Sequence, residues 1–246
     1  MTGRLRRAGA GIDTRLYFIT DTAQCAHAGR TVAETAAAAV RGGAGIVQVR
    51  DKTADDGAFE RLAREVAAAL ETVAAEHGRR ALLVINDRVT VAARLRAEGI
   101  DAHLHIGQDD AALSEARALL GDDAVIGVST GTPAEIRAAE DSGEADLLGI
   151  GPVWSTSTKP DAPAGIGVDG LAGLLEHTRL PAFAIGGVDT SGAGEVGALA
   201  ARSGRPAGIC VVSAICLSDD PERAAARLHR AFTAPAGTRD DKEPQP

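Results

Sequence analysis

The chain has 246 residues, 45% hydrophobic and 24% charged, which is typical of one α/β barrel or two modest domains with a sizeable core. With 2% aromatic residues and a net charge of −8, it lacks the features that bind single-stranded nucleic acid or a phosphate backbone. No apolar stretch approaches a membrane span, and Cys25, Cys210 and Cys216 form no CxxC pair. We therefore expect a soluble, reduced, cytoplasmic protein whose partners are small molecules.

Short β-rich runs alternate with alanine-rich helical stretches along the whole chain. The predicted strands are Leu16–Thr20, Ile46–Arg50, Ala81–Asn86, His103–Ile106, Ala124–Val128, Asp146–Ile150, Ala182–Ile185 and Gly208–Val212. The predicted helices are Val32–Arg41, Ala58–His77, Arg88–Ala97, Ala111–Leu120, Pro133–Ser142, Val168–His177, Ser191–Ala201 and Pro221–Phe232. Pro133 and Pro221 each follow a capping side chain, as is common at the first position of a helix.

Eight strand–helix units predict a single (β/α)8 TIM barrel over residues 15–233, with a doubly wound sheet as the alternative. Residues 1–14 are predicted to be an N-terminal tail, and the polar residues 234–246 a disordered C-terminal tail. In such a barrel, catalytic residues lie at the carboxyl ends of the strands. Polar residues follow the predicted strands at that end, so we expect the functional site there.

Gln48 and Arg50 lie on the same face of the second strand, because side chains alternate along a strand. Since Val47 and Val49 face the helices, both polar side chains are expected to point into the barrel mouth. An arginine there needs an anion, and a ligand phosphate suits its planar fork. An internal salt bridge to an aspartate is the alternative.

Asp87 and Asp110 follow neighbouring strands, and Asn86 precedes the first of them. Carboxylate and amide oxygens suit Mg²⁺ that is shared with substrate phosphates. Asp109 competes with Asp110 for this role. A pair of carboxylates acting as acid and base, or two helix caps, are the alternatives.

Glycines and a serine follow the last two strands, at Gly186-Gly187 and Val212-Ser213. Barrels commonly bind phosphate there, through backbone N–H groups that glycine lets approach closely. Residues 155–167 contain two prolines and lack a hydrophobic period, so they are interpreted as a flap over the mouth. His105 is expected to be a core histidine, and Ser129, with no His-Asp arrangement nearby in sequence, is not expected to be a nucleophile.

The chain contains 23 arginines but only three lysines, Lys52, Lys159 and Lys242. Lys242 lies in the C-terminal tail, so the other two stand out. An ammonium is a compact point charge, whereas a guanidinium is a planar fork, and the two are not equivalent beside a phosphate. Lys52 and Lys159 therefore indicate positions that require an ammonium, unless codon bias alone accounts for the scarcity of lysine.

From Tyr17 to about Phe232, the chain resembles the thiamine-phosphate synthase family. The motifs that carry the resemblance are Gln48-Val49-Arg50-Asp51-Lys52, Asn86-Asp87, His105-Ile106-Gly107-Gln108-Asp109-Asp110, Gly127-Val128-Ser129, Gly149-Ile150-Gly151-Pro152-Val153, Thr156-Ser157-Thr158-Lys159, Ala184-Ile185-Gly186-Gly187-Val188 and Val212-Ser213-Ala214-Ile215. Each motif stands at its own strand exit, which makes the set specific. The family joins a hydroxymethylpyrimidine diphosphate to a thiazole phosphate, giving thiamine phosphate and diphosphate.

The resemblance implies a role for each matching residue. The residues that would hold the pyrimidine diphosphate are Gln48, Val49, Arg50, Asp51, Lys52, Asn86, Ser129 and Lys159. The residues that would bind the thiazole phosphate are Thr156, Ser157, Thr158, Gly187, Val212 and Ser213. Asp87 and Asp110 would bind one Mg²⁺ per subunit, and Arg50, Lys52, Ser129 and Lys159 would assist the departure of diphosphate.

Two positions depart from the family pattern: Gly131, where the family often has His, and His103, where it commonly has Gly. Both concern local packing more than the reaction. The rival functions are a thiazole tautomerase-like isomerase, a Schiff-base aldolase using Lys159, and a non-catalytic barrel that binds thiazole phosphate. Retention of the cationic and acidic residues favours the synthase, and a homo-oligomer is left open.

Lys159→Arg is expected to lower kcat on the order of 10²–10³-fold although it keeps the charge. Arginine is longer and planar, so its charge would miss the oxygen on which negative charge develops as the diphosphate leaves. Steady-state kcat and KM of the wild type, Lys159→Arg and Lys159→Ala measure this effect. A near-wild-type kcat for Lys159→Arg would contradict the argument from lysine scarcity.

Overall fold

The computed structural model describes residues 3–108, 112–156, 164–205 and 207–234. Eight parallel strands form one closed ring in chain order, with β8 paired to β1. The strands are β1 (Leu16–Ile19), β2 (Ile46–Val49), β3 (Leu82–Asn86), β4 (Ala102–Ile106), β5 (Ile126–Thr130), β6 (Leu147–Ile150), β7 (Ala182–Ile185) and β8 (Ala207–Val211). The predicted (β/α)8 barrel is confirmed, and closure of the ring excludes the doubly wound sheet.

Eleven helices lie in the described part of the chain, and eight of them are the predicted ones to within two residues at either end. They are α1 (Gly3–Ala8), α2 (Thr22–His27), α3 (Val32–Arg41), α4 (Asp56–His77), α5 (Val89–Ala97), α6 (Leu113–Leu120), α7 (Pro133–Ser142), α8 (Gly167–Leu175), α9 (Thr190–Ser203), α10 (Ser213–Cys216) and α11 (Pro221–Thr233). The sequence did not predict α2 and α10, because helices of one turn are too short to show a hydrophobic period.

The core has two layers, as the alternation of side chains along β1 shows. Leu16 and Phe18 face the helices and join the larger apolar cluster, which fills the space between barrel and helices. Tyr17 and Ile19 face the barrel axis and join the smaller cluster, which also contains Phe183. The barrel interior is therefore packed, and ligands can reach only its mouth.

The N-terminal residues are more than the predicted tail, because Gly3–Ala8 form α1 and Leu5 is fully buried in the inner cluster. Arg4 lies 3.5 Å from Glu144 and 3.7 Å from Asp146, which precede β6. Helix α1 thus closes the end of the barrel opposite the mouth. A single buried leucine in a six-residue helix leaves no periodic signal that sequence analysis could detect.

All three cysteines are buried and free. The Sγ atoms of Cys25 in α2 and Cys216 in α10 lie 3.7 Å apart. This contact joins the two short helices that follow β1 and β8. Across the described residues, every helix is too short or too polar to span a bilayer.

Leu5→Ala is expected to reduce the free energy of unfolding by about 2–5 kcal/mol, because it leaves a cavity in the inner core. Leu119→Ala is the matched control, since Leu119 is 56% exposed on α6, and a change within about 0.5 kcal/mol is expected there. Denaturant unfolding of both variants measures the difference. Equal stability of the two variants would show that α1 does not contribute to the core.

Candidate active site

Residues predicted for the site meet at the carboxyl end of the barrel, where they differ in exposure. Gln48 is almost completely buried on β2, whereas Arg50, Asn86 and Asp87 are half-buried after β2 and β3. The more exposed members are Lys52, Ser129, Gly187 and Ser213. The site is therefore a cup with a buried amide at its floor and charged or small residues around its edge.

The floor of the cup is a pair of buried polar side chains. Gln48 Nε2 donates a hydrogen bond of 2.6 Å to the hydroxyl oxygen of Tyr17 on β1. This contact confirms that Gln48 faces the barrel interior. Burial raises the pKa of Tyr17 well above its usual value, and the thiol of Cys210 adds to the shift, so Tyr17 stays protonated. Tyr17 was not among the predicted site residues because it stands in an apolar run.

His105 and Ser129 form the next part of the site. The imidazole Nε2 of His105 lies 3.1 Å from Ser129 Oγ, and its Nδ1 lies 3.4 Å from the Tyr17 hydroxyl. The sequence shows no His-Asp arrangement near Ser129, and the structure places a histidine beside it whose other ring nitrogen faces the Tyr17 hydroxyl. The two residues are 24 positions apart in sequence, and only the pairing of β4 with β5 brings them together.

Two glycines make room for the His105 ring. A Cβ atom on Gly127, which pairs with His105 across the sheet, would lie 2.4 Å from Nδ1. A Cβ atom on Gly149 of β6 would lie 3.4 Å from the ring. The glycine of the Gly127-Val128-Ser129 motif therefore admits the imidazole beside the serine.

Arg50 follows β2 and is positioned by residues that follow β1. Its backbone N–H donates to Thr20 Oγ1 at 3.0 Å. One guanidinium nitrogen lies 3.9 Å from Asp21, the N-cap of α2. This is the internal ion pair that the sequence left as the alternative, and at this distance it is a weak one. The guanidinium remains about one-fifth exposed, at 22%, so it is accessible to an anion at the mouth.

Asp51 shapes the loop between β2 and α4 that carries Lys52. Its Oδ1 accepts hydrogen bonds from the backbone of Thr53 and Ala54 and from the Thr53 hydroxyl. Partial burial opposes ionisation, but these hydrogen bonds outweigh it and lower the pKa of Asp51 to about 2. Its carboxylate is therefore engaged with its own loop, where it positions Lys52 beside the mouth.

Asp87 has an unusual backbone, with φ of 61°, the left-handed region that few non-glycine residues adopt. Its backbone N–H donates to the carbonyl oxygen of His105 on β4, at 2.9 Å. Aspartate tolerates this region better than most residues, but the conformation still costs about 1 kcal/mol or more. Such strain is concentrated at functional sites, and here it accompanies a half-buried carboxylate after β3.

The segments after β6 and β7 are joined backbone to backbone. Val153 N–H donates to Ile185 at 2.8 Å, and Trp154 N–H donates to Gly186 at 2.9 Å. Gly187 has φ of 65°, and a Cβ atom there would lie 2.5 Å from the carbonyl oxygen of Ser155. Only glycine lets the two loops approach this closely, so Thr156 is placed beside the β7 exit.

Helix α10 begins at Ser213, directly after β8, with Val212 as its N-cap. Arg30 anchors the other end of this helix, because one of its guanidinium nitrogens donates to the carbonyl oxygens of Cys216 and Ser218 at 3.0 and 2.5 Å. The predicted phosphate-binding segments, at Gly187 and at Val212-Ser213, are thus both held by backbone contacts.

Several predicted residues lie outside the described part of the chain. They are Asp109, Asp110, Ser157, Thr158 and Lys159. Among the described residues, no three acidic, histidine or cysteine side chains form a group that could hold a metal ion. The pairing of Asp87 with Asp110 therefore stays a prediction.

Comparison with known proteins agrees with this geometry. The family model described as thiamine monophosphate synthase matches residues 16–215. This range includes all eight strands of the barrel. The chain belongs to the thiamine monophosphate synthase family. The Xanthobacter autotrophicus thiamine-phosphate synthase is 42% identical over 222 residues, which cover 90% of this chain and 97% of the relative.

Two further relatives give the same result. The thiamine-phosphate synthase of Natronomonas pharaonis is 41% identical over 218 residues, covering 88% of this chain and 94% of the relative. The solved structure of the Pyrococcus furiosus thiamine phosphate pyrophosphorylase superposes with a TM-score of 0.72 at 28% identity, covering 89% of this chain and 95% of that chain. The family resemblance seen in the motifs is therefore confirmed over nearly the full length.

Gly187→Ala is expected to raise the KM for the phosphate-bearing thiazole at least about tenfold, because the added Cβ displaces the loop after β6. Gly173→Ala is the matched control. A Cβ on Gly173 in α8 meets nothing within 4 Å, so the substitution should be neutral or stabilise by about 0.5–1 kcal/mol. Steady-state kinetics and thermal unfolding of both variants measure the effects. Unchanged KM in Gly187→Ala would show that the two loops do not bind the phosphate.

Proposed function

We propose that the chain joins 4-amino-2-methyl-5-(diphosphooxymethyl)pyrimidine to thiazole phosphate, producing thiamine phosphate and diphosphate. Membership of the family across the whole barrel is the observation that carries this proposal. The arrangement of the mouth supports it. Cationic residues follow β2, while the segments after β7 and β8 can offer backbone N–H groups to an anion. One substrate carries a diphosphate and the other a single phosphate, so two separate anion sites are needed.

The reaction is a substitution at the methylene carbon of the pyrimidine. The C–O bond breaks and its electron pair leaves with the diphosphate. The resulting carbocation is stabilised by the aminopyrimidine ring, and the lone pair of the thiazole nitrogen then forms the new C–N bond. No protein nucleophile is required, so the enzyme acts by stabilising charge and by orienting the two substrates.

The chain's own residues provide that stabilisation. We place Arg50, Lys52, Asn86 and Lys159 on the diphosphate, because the departing oxygens gain negative charge. Gln48 lies at the floor, where it contacts the pyrimidine side of the substrate. Val49 and Asp51 contribute through the backbone and loop that present Arg50 and Lys52.

The second phosphate belongs to the thiazole. Thr156, Ser157 and Thr158 supply hydroxyl groups from the loop after β6, and Gly187, Val212 and Ser213 supply backbone N–H groups. The first N–H groups of a helix have no partner within the helix, which leaves those of α10 able to bind an anion. Anchoring the thiazole by its phosphate places the ring nitrogen toward the reacting carbon.

A Mg²⁺ ion fits the acidic residues of this mouth. Asp87 is a half-buried aspartate that directly follows β3, and carboxylates are hard ligands that suit this ion. Asp87 and Asp110 would hold it. When bound, it would neutralise charge on the diphosphate. Because the cysteines are free thiols, a reducing compartment such as the cytoplasm suits the enzyme.

Diphosphate release is expected only when both substrates and Mg²⁺ are present, and excess EDTA should abolish it. Asp87→Asn should lower turnover by about 100-fold or more. Asp141→Asn, which changes an exposed aspartate of α7, is the control and should retain wild-type turnover. Circular dichroism verifies that both variants are folded.

Each arm of this experiment tests a separate part of the proposal. Release of diphosphate from the pyrimidine alone at the full rate would contradict the condensation. Full activity in EDTA would show that the reaction needs neither Mg²⁺ nor the two aspartates proposed to bind it. Conversion of a thiazole phosphate without the pyrimidine would instead favour the isomerase alternative.

A further inference from the structure

A chain of hydrogen-bonded side chains runs from the buried floor of the barrel to its mouth. It begins at Gln48 Nε2, which donates to the Tyr17 hydroxyl at 2.6 Å. The same hydroxyl lies 3.4 Å from Nδ1 of His105, whose Nε2 lies 3.1 Å from Ser129 Oγ. The chain crosses β2, β1, β4 and β5, and only its last member, Ser129, is exposed.

The direction of the protons along this chain follows from its first member. An amide nitrogen can only donate, so the Tyr17 oxygen accepts from Gln48. Tyr17 has one proton of its own, and burial keeps it on the oxygen by raising the pKa of the phenol. Nδ1 of His105, 3.4 Å from the hydroxyl oxygen, is the neighbouring acceptor to which we assign that proton.

A neutral imidazole carries one proton, and accepting at Nδ1 leaves that proton on Nε2. His105 therefore donates from Nε2 to Ser129 Oγ. Because the serine oxygen accepts this hydrogen bond, its own proton points away from the histidine. Ser129 thus presents a hydrogen-bond donor to the mouth.

We propose that Tyr17 and His105 are positioning residues that set Ser129 as a hydrogen-bond donor to the diphosphate substrate. The proposal rests on the function proposed above and adds the orientation of one proton. A serine in this state stabilises an oxygen that gains negative charge as the C–O bond breaks. The substrate atom at Ser129 is accordingly an acceptor.

This arrangement is the reverse of the one that activates a serine nucleophile. There, Nδ1 donates to a carboxylate and Nε2 accepts the serine proton. Here Nδ1 faces a phenol, and in the proposed tautomer Nε2 carries the proton and does not take one from the serine. Ser129 is therefore a binding group even though a histidine stands beside it.

The packing around this chain of hydrogen-bonded side chains holds the rings of Tyr17 and His105 in place. Tyr17 meets the edges of Phe183 and His105, with ring centroids 5.4 and 6.0 Å apart. Gly127 leaves the space that Nδ1 occupies, because a Cβ atom there would lie 2.4 Å from it. These contacts place both rings where the hydrogen bonds to Gln48 and Ser129 form.

The tautomer of His105 can be read directly by ¹⁵N NMR of the imidazole in the full-length protein. The expected result is a protonated Nε2 and an unprotonated Nδ1. Tyr17→Phe removes the phenol hydroxyl, so the preference for this tautomer should be lost while the fold is kept. A protonated Nδ1 in the wild type would overturn the proposal without any variant being made.

Kinetics test the consequence for Ser129. Ser129→Ala and Tyr17→Phe should each lower kcat, by about tenfold or more and by about threefold to tenfold respectively, with little change in the KM for thiazole phosphate. His105→Gln keeps a donor near the Nε2 position and should retain most activity. His105→Met has similar size but no donor, and it should match Ser129→Ala.

His103→Met is the control for simple loss of a buried imidazole. His103 lies on the same face of β4 as His105 but is directed to a backbone contact with Val125. Its loss should reduce thermal stability and leave kcat unchanged. The contrast separates a positioning effect from a general effect on the barrel.

The outcomes distinguish the two proposals. If Ser129→Ala retains wild-type kinetics while diphosphate release still needs both substrates, the proposed role of Ser129 as an oriented donor is wrong and the condensation stands. If Ser129→Ala is impaired but His105→Met equals the wild type, the role of Tyr17 and His105 fails alone. If diphosphate release does not need both substrates, the proposed function fails whatever the tautomer.

Discussion

Closure of the sheet between β8 and β1 is the constraint on which the rest of the structure depends. Once Leu16 pairs with Ile209, all eight strands are parallel in one ring, and their carboxyl ends open at a single mouth. Residues as distant in sequence as Gln48 and Ser213 then surround one space. An open sheet of the same strands would leave its edges exposed and would place these residues along a line.

The narrow interior of the ring sets the second constraint. It is filled with apolar side chains, so the polar groups that enter it must satisfy one another. Gln48, Tyr17 and His105 meet this requirement by a single series of hydrogen bonds that reaches solvent at Ser129. Each of these polar groups would be costly to bury without a partner. Joined in one series, they orient the hydroxyl group of Ser129 at the mouth.

Close backbone approach is the third feature, and it explains several glycines of the motifs. Gly127 admits the His105 ring, while Gly187 lets the loops after β6 and β7 lie side by side. These residues contribute to the site without contacting a ligand through a side chain. Asp51 is similar, since its carboxylate organises the loop that carries Lys52.

The repeating pattern of strands and helices was readable from local sequence, because hydrophobic periodicity and proline-capped helix starts are properties of neighbouring residues. So were the placement of the candidate site residues at the strand ends and the interior direction of Gln48, which follows from alternation along β2. The sequence motifs at the strand exits were sufficient to identify the family. Helix α1 was not readable, since one buried leucine has no period, and neither were α2 and α10, each little longer than one turn. The partnership of Ser129 with His105, the ion pair of Arg50 with Asp21 and the strained backbone of Asp87 depend on contacts between separate strands and loops. Those contacts exist only after the ring has closed, because closure decides which side chains share the interior and how near the loops approach.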